Sequence, residues 1–168
     1  ISRSLRKVLR KQQFEIRFDT AFQQVIKACA DVRTEQGEGT WIIPEMQQAY
    51  TELHQDGFAH SVESWQDGKL AGGLYGISLG QCFFGESMFS TRNDSSKVAL
   101  AALAEFCREV GIKMIDCQMT TAHLLSLGAK EIRRELFLKK LKKHLEQPTL
   151  KGSWNSGSAS VKSNIFQN

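Results

Sequence analysis

Three polar side chains stand where strand-forming sequence gives out. Glu86 closes the aromatic run 81–86, and Asp116 and Gln118 close the apolar run 112–117. If the two runs are neighbouring strands, two carboxylates and one amide meet at the mouth of a sheet. A carboxylate there can pair with a cationic substrate group or take a proton from an attacking amine. An amide donates and accepts at once, so it can hold a nucleophile in line. Strand alternation puts Asp116 and Gln118 on one face and Cys117 on the other. The plainer alternative is that all three are strand-end polars making turn and cap hydrogen bonds. Spacing alone leaves both open.

Other chemistries are poorly supported. There is no G-x-x-x-x-G-K-[ST] loop for a nucleotide phosphate. The R/Q-x-x-G-x-G/A loop that would hold coenzyme A is also missing, which argues against acetyl transfer. Ser87 and Ser90 lack a G-x-S-x-G elbow. His54 and His60 flank a turn and read as a base, a ligand or plain turn polars. Cys29, Cys82, Cys107 and Cys117 lie far apart, with neither a Cys-x-x-Cys pair nor clustered His, so neither a metal centre nor a disulfide framework is expected. Gly72, Gly73 and Gly76 interrupt a strand pattern, marking a bulge or a close approach. Trp41, Tyr50, Phe83, Phe84 and Phe89 suit either an apolar acceptor pocket or a core.

A separate signal is electrostatic. Arg3, Arg6, Lys7, Arg10 and Lys11 share one face of a helix over 2–12, with Leu5, Val8 and Leu9 on another. Such a stripe fits phosphate contact, a solvated face or a membrane-surface helix; the small apolar face ranks phosphate first. A second basic cluster, Lys139, Lys140, Lys142 and Lys143, belongs to the same field or is only solubilising. The net charge of +4, from 22 Lys+Arg against 18 Asp+Glu, is too mild to name a partner.

The elements that must position these groups follow from periodicity. Asp19 is placed to cap a helix carrying Phe22, Val25, Ile26 and Cys29. Another helix opens at Pro44 and closes at Gly57. Strands over 59–65 and 69–78 flank an Asp67-Gly68 turn, and a third strand spans 81–86. A long helix begins near 93–95 and stops at Gly111; a short strand covers 112–117, and helices follow at 122–127 and 134–146. The order embeds one β-α-β unit over 81–118, whose two strands must run parallel. The fold class is α+β, a mixed sheet with flanking helices. Residues 1–147 form one domain, since 168 residues with an apolar share of 41% suffice for a packed core. Residues 148–168, Ser/Gly/Asn-rich, read as a flexible tail in which Trp154, Ile165 and Phe166 are the only anchors by type. No apolar stretch of the ~18 residues that cross a membrane occurs, and the basic start lacks a signal peptide's apolar run. A reducing cytoplasm is expected.

Ordered motifs then narrow the reading. They are Gly39-Thr40-Trp41-Ile42, Ala49-Tyr50-x-x-Leu53-His54, His60-Ser61-Val62-Glu63-x-Trp65, Gly72-Gly73-Leu74-Tyr75-Gly76, Gly85-Glu86-Ser87-Met88-Phe89-Ser90, Ser96-Lys97, Ile115-Asp116-Cys117-Gln118 and Ser126-Leu127-Gly128-Ala129. Together they closely resemble the leucyl/phenylalanyl-tRNA–protein transferases over about residues 1–141. The resemblance implies an acetyltransferase-like (GNAT) fold. It also implies transfer of Leu or Phe, less readily Met, from aminoacyl-tRNA to proteins with N-terminal Lys or Arg. That marks them for degradation through the N-degron pathway. No coenzyme or membrane is implied, and a monomer is expected.

By the same resemblance, Asp116 and Gln118 order and activate the attacking α-amine, and Glu86 binds near the basic N-terminal residue. Trp41 and Tyr50 match active-site positions. Leu74, Phe83, Leu100 and Leu103 match the apolar aminoacyl pocket, and the basic stripe matches a tRNA-contacting helix. Two departures stand out. The family's smaller N-terminal domain, with a Trp for the acceptor pocket, is expected to be missing ahead of Ile1. Leu103 and Cys107 replace aromatics. A noncatalytic tRNA- or peptide-binding module is therefore the competing expectation.

Overall fold

A computed structural model describes the backbone of residues 3–35 and 40–155, and the side chains of all of these except Arg3, Ser4, Arg33 and Glu35. Strands β1 (Glu15–Phe18), β2 (Ala59–Gln66), β3 (Lys69–Leu79), β4 (Cys82–Ser90) and β5 (Met114–Asp116) form one sheet in the order β1-β2-β3-β4-β5. The first three pairings are antiparallel and β4–β5 is parallel, so the sheet is mixed as expected. The crossover from β4 to β5 is the long helix α4 (Ser95–Val110).

Both faces of the central strands are covered, so β2 is buried along most of its length even though His60, Ser61, Glu63 and Ser64 are polar. Alternation sends Val62, Leu74 and Phe83 into one cluster with Leu5 and Leu9 of α1 (Arg3–Arg10) and Leu103 and Phe106 of α4. Ala59, Tyr75 and Phe89 face the opposite cluster with helices α2 (Phe22–Glu35) and α3 (Pro44–Gln55). Each fully buried Leu or Phe contributes about 1.5–3 kcal/mol. The Asp67-Gly68 turn has φ of +51° and +71°, the left-handed pair that joins β2 to β3.

Four expectations need correction. Strand β1 was not foreseen: it is four residues long, and only Ile16 and Phe18 carry its inward pattern. Strand β4 continues to Ser90, so Glu86 lies inside a strand rather than at its end. Asp19 does not cap α2. Its carboxylate accepts instead from His60 Nδ1 and the backbone N–H groups of Ser61 and Trp154. The α2 terminus is served by Glu63 of β2, wholly buried, which accepts from Thr20 N at 3.0 Å, Ala21 N at 3.1 Å, Ser61 Oγ at 2.7 Å and Thr20 Oγ1. A carboxylate so supplied with donors at a helix N-terminus tolerates burial.

The fourth correction concerns the C-terminal segment. Residues 148–155 are not loose: after α6 (Arg134–Leu145) they return across the domain, and Trp154 is 2% exposed. The folded unit therefore runs past the expected boundary at 147, because Trp154 finds an aromatic slot and Asp19 accepts its N–H. Residues 156–168 lie outside the described residues.

Candidate active site

The parallel ladder between β4 and β5 stops at Phe84↔Asp116, while β4 runs on alone on that side. The chain after Asp116 is free to turn over the exposed edge of β4. On its other side β4 is bulged. Gly76 pairs with Gly85 and Tyr75 with Ser87, which leaves Glu86 as the extra residue. A bulge bends its strand and re-aims a side chain. Here it brings Glu86 to Gln118, whose Nε2 donates to Glu86 Oε1 at 3.3 Å. Gln118 has φ of +61°, and its backbone N–H donates to Asp116 Oδ1 at 2.9 Å. Because Gln118 has left the strand in a left-handed conformation, alternation fails there, and Asp116, Cys117 and Gln118 all border the same cleft.

Glycine is required at the bulge. A Cβ on Gly76 would stand 2.1 Å from the carbonyl oxygen of Phe84 and 2.6 Å from the Phe83 ring. Behind Glu86 lies Tyr50 of α3, almost buried. Burial, then the charge of Glu86 and a hydrogen bond to it, push the phenol well above its ordinary value, so it stays protonated. Tyr50 meets Tyr75 edge-on at 5.2 Å and Trp41 at 6.3 Å. Trp41 is 40% exposed, a large apolar ring open to solvent beside Tyr50.

The cleft itself, about 760 Å³, lies between α4, β5, the short helix α5 (Ala122–Ser126) and α6. Leu100, Ile115, Leu124 and Phe137 supply apolar wall, and Asp116 and Gln118 form its polar edge. The structure thus brings together Trp41, Tyr50, Glu86, Asp116, Gln118 and Leu100. Leu74, Phe83 and Leu103 are not on the cleft surface. They are at most 3% exposed and sit in the core against which Leu100 packs.

Arg6, Lys7 and Arg10 of α1, and Lys11 just after it, are exposed, and no carboxylate among the described residues forms an ion pair with them. The Arg3 side chain lies outside the described residues. The helix packs through Leu5 and Leu9 into the core that α4 shares, so the cationic face is fixed relative to the cleft wall. Among the described residues no three His, Cys, Asp or Glu side chains converge as a metal-ion set. No helix among them is long and apolar enough to cross a membrane.

The family model described as leucyl/phenylalanyl-tRNA protein transferase matches residues 1–142. The chain belongs to this family. A leucyl/phenylalanyl-tRNA–protein transferase of Desulfatibacillum aliphaticivorans is 59% identical over 155 residues, 92% of this chain and 66% of that protein. One of Aromatoleum aromaticum is 58% identical over 166 residues, 99% of this chain and 70% of that protein. The chain spans about two thirds of the length of these curated transferases. Two solved structures share the fold. An aminoglycoside acetyltransferase from an uncultured soil metagenomic sample, in complex with sisomicin, has a TM-score of 0.56 at 18% identity and covers 73% of this chain and 93% of its own. The aminoglycoside N-acetyltransferase AAC(6')-Iy in complex with CoA has a TM-score of 0.53 at 15% identity, covering 72% and 90%. The acetyltransferase-like fold inferred from the motifs is therefore the observed one.

Within this transferase-family fold, sequence reasoning missed the far side of the cleft. Leu124, Leu125, Phe137 and Lys140 line it, yet they sit on two helices with no buried residue. The only signal was the mixed apolar and basic pattern over 134–145. Trp154 stood out as an anchor by residue type, but nothing in the sequence named its partners Asp19, His60 and Phe106, and it falls outside the family match.

Proposed function

We propose that this chain transfers Leu or Phe, and less readily Met, from aminoacyl-tRNA to the α-amino group of polypeptides beginning with Lys or Arg. The product is marked for N-degron degradation, and dependence on charged tRNA places the reaction in the cytoplasm. The observation that carries this reading is the junction of Glu86, Gln118 and Asp116 at the edge of an apolar cleft.

An aminoacyl ester is already activated, so the protein must supply orientation and proton handling rather than a covalent nucleophile. Glu86 pairs with the cationic side chain of the acceptor's first residue. This sets the α-amine beside Asp116 and Gln118. An α-amino group has an ordinary pKa near ~7.7–8.0, so near neutrality it must shed a proton before it can attack. Asp116 accepts that proton, and the Gln118 amide orients the nitrogen lone pair toward the ester carbonyl carbon. The new C–N bond forms as the carbonyl π electrons move to oxygen. Their return breaks the bond to the ribose oxygen, which leaves with the proton that Asp116 took from the amine, and the new amide nitrogen gives its remaining extra proton to Asp116 and thence to solvent.

Leu100 supplies the surface met by the aminoacyl side chain, and Leu74, Phe83 and Leu103 hold it from behind. Trp41 and Tyr50 flank the acceptor side. Arg6, Lys7, Arg10 and Lys11, with Arg3, contact tRNA phosphates. The test is incubation with Phe-tRNA and a peptide beginning with Lys. Transfer to it, but not to its Nα-acetylated form, supports the reading. Tight tRNA binding without transfer overturns it in favour of a noncatalytic binding module.

A further inference from the structure

We infer that Trp154 is a positioning residue for the proposed transfer: its indole holds the Phe83 ring over Gly76 and thereby fixes the bulge that aims Glu86 at Gln118. The inference rests on the function proposed above.

The segment carrying Trp154 is tied down along its length. Gly80 N donates to Thr149 Oγ1 at 2.8 Å, and Gly152 N donates to Gly57 O at 3.2 Å. The Lys151 ammonium lies 4.1 Å above the Phe58 ring. Trp154 N donates to Asp19 Oδ2 at 2.7 Å, beside the His60 Nδ1 contact at 2.9 Å to the same oxygen. Asp19 Oδ1 accepts from Ser61 N at 2.9 Å. One buried carboxylate thus joins the C-terminal segment to the β2 backbone.

The indole then reaches the centre of the fold. It stacks on His60 at 3.8 Å with planes 5° apart, and meets Phe106 at 4.6 Å and Phe83 at 5.8 Å. Phe83 is fully buried, and its ring fills the space where a Gly76 side chain would be. Gly76 pairs with Gly85, the residue before bulged Glu86, and Phe83 pairs with Ile115, the residue before Asp116. Trp154 is therefore one side chain away from both strands that carry the reacting groups. Removing so large a ring opens a cavity into which Phe83 can relax. A shift of about 1 Å in positioning groups costs on the order of 10²-fold in rate.

The test uses the full chain with W154A and W154F, at a temperature where circular dichroism shows both folded. Transfer kinetics and amide hydrogen exchange at Gln118 and Val62 are measured together. W154A is expected to lower kcat by about tenfold or more, with KM for aminoacyl-tRNA nearly unchanged. Gln118 exchange should quicken while Val62, in central β2, does not. W154F should fall between W154A and the native chain in both readouts, and it serves alone if W154A does not fold. Native kcat in the folded variants would overturn the inference, as would Gln118 and Val62 loosening in parallel. If the native chain transfers nothing, the proposed function fails. The exchange pattern then still decides whether Trp154 holds the bulge.

Discussion

The side-chain amide of Gln118 donates to Glu86 at 3.3 Å across the point where β4 and β5 part. Neither residue is brought there by regular strand geometry: Glu86 is displaced by a bulge, and Gln118 by a left-handed backbone. Irregular backbone of this kind concentrates where side chains must be aimed. Glu86→Gln keeps the shape and removes the charge. Its expected effect is a rise of roughly tenfold or more in KM for acceptors beginning with Lys or Arg, the scale of a lost charge-assisted hydrogen bond. KM for aminoacyl-tRNA should hardly move. Steady-state kinetics with each substrate varied in turn check this.

The bulge itself predicts a contrast between two glycines. In Gly76→Ala the new methyl carbon meets the Phe84 carbonyl at 2.1 Å, a backbone atom with little room to yield. A loss of roughly 2 kcal/mol or more is expected. Gly68 has φ of +71° but open space around it, so Gly68→Ala should cost only about 1–2 kcal/mol of left-handed strain. Urea denaturation of both variants gives the comparison.

Much of this arrangement was legible from residue types. The glycines at 72, 73 and 76 signalled a bulge or close approach, and Glu86, Asp116 and Gln118 stood at the ends of strand-like runs. What was not legible depended on tertiary partners. Nothing local says that Glu63 will accept from Ala21 N, 42 residues before it at the start of α2, or that Asp19 will face His60 and Trp154. A Ser/Gly-rich segment reads as loose, and one buried indole reverses that. The family resemblance put Leu74, Phe83, Leu100 and Leu103 in one apolar pocket, but only packing separates Leu100, on the cleft, from Leu103 behind it.

The basic face of α1 predicts a salt effect. Replacing Arg6 and Arg10 by Ala should weaken tRNA binding and lower the slope of log affinity against log salt by roughly one per contact removed. Filter binding across a salt series measures the slope, and an unchanged slope would remove α1 from the interface.

Alkaline pH should destabilise the fold through Cys107. Burial pushes its thiol from 9.0 up to about 12. Below the ordinary value, both folded and unfolded chains keep the proton and the thiol costs nothing. Between 9.0 and about 12 only the unfolded chain ionises, so stability falls as pH rises. The loss is at most about 1.4 kcal/mol per pH unit for this group. Tyr50, also raised by burial and Glu86, acts in the same direction. Urea midpoints across this range should decline, and less steeply in Cys107→Ala.

The central claim is that Asp116 acts on the amine during transfer. It is tested most directly by measuring, for Asp116→Asn, the single-turnover rate from Phe-tRNA to a Lys-initiated peptide alongside tRNA affinity. The account predicts a rate loss on the order of 10²-fold or more, with affinity nearly unchanged. A native rate, or equal losses in rate and affinity, would contradict it.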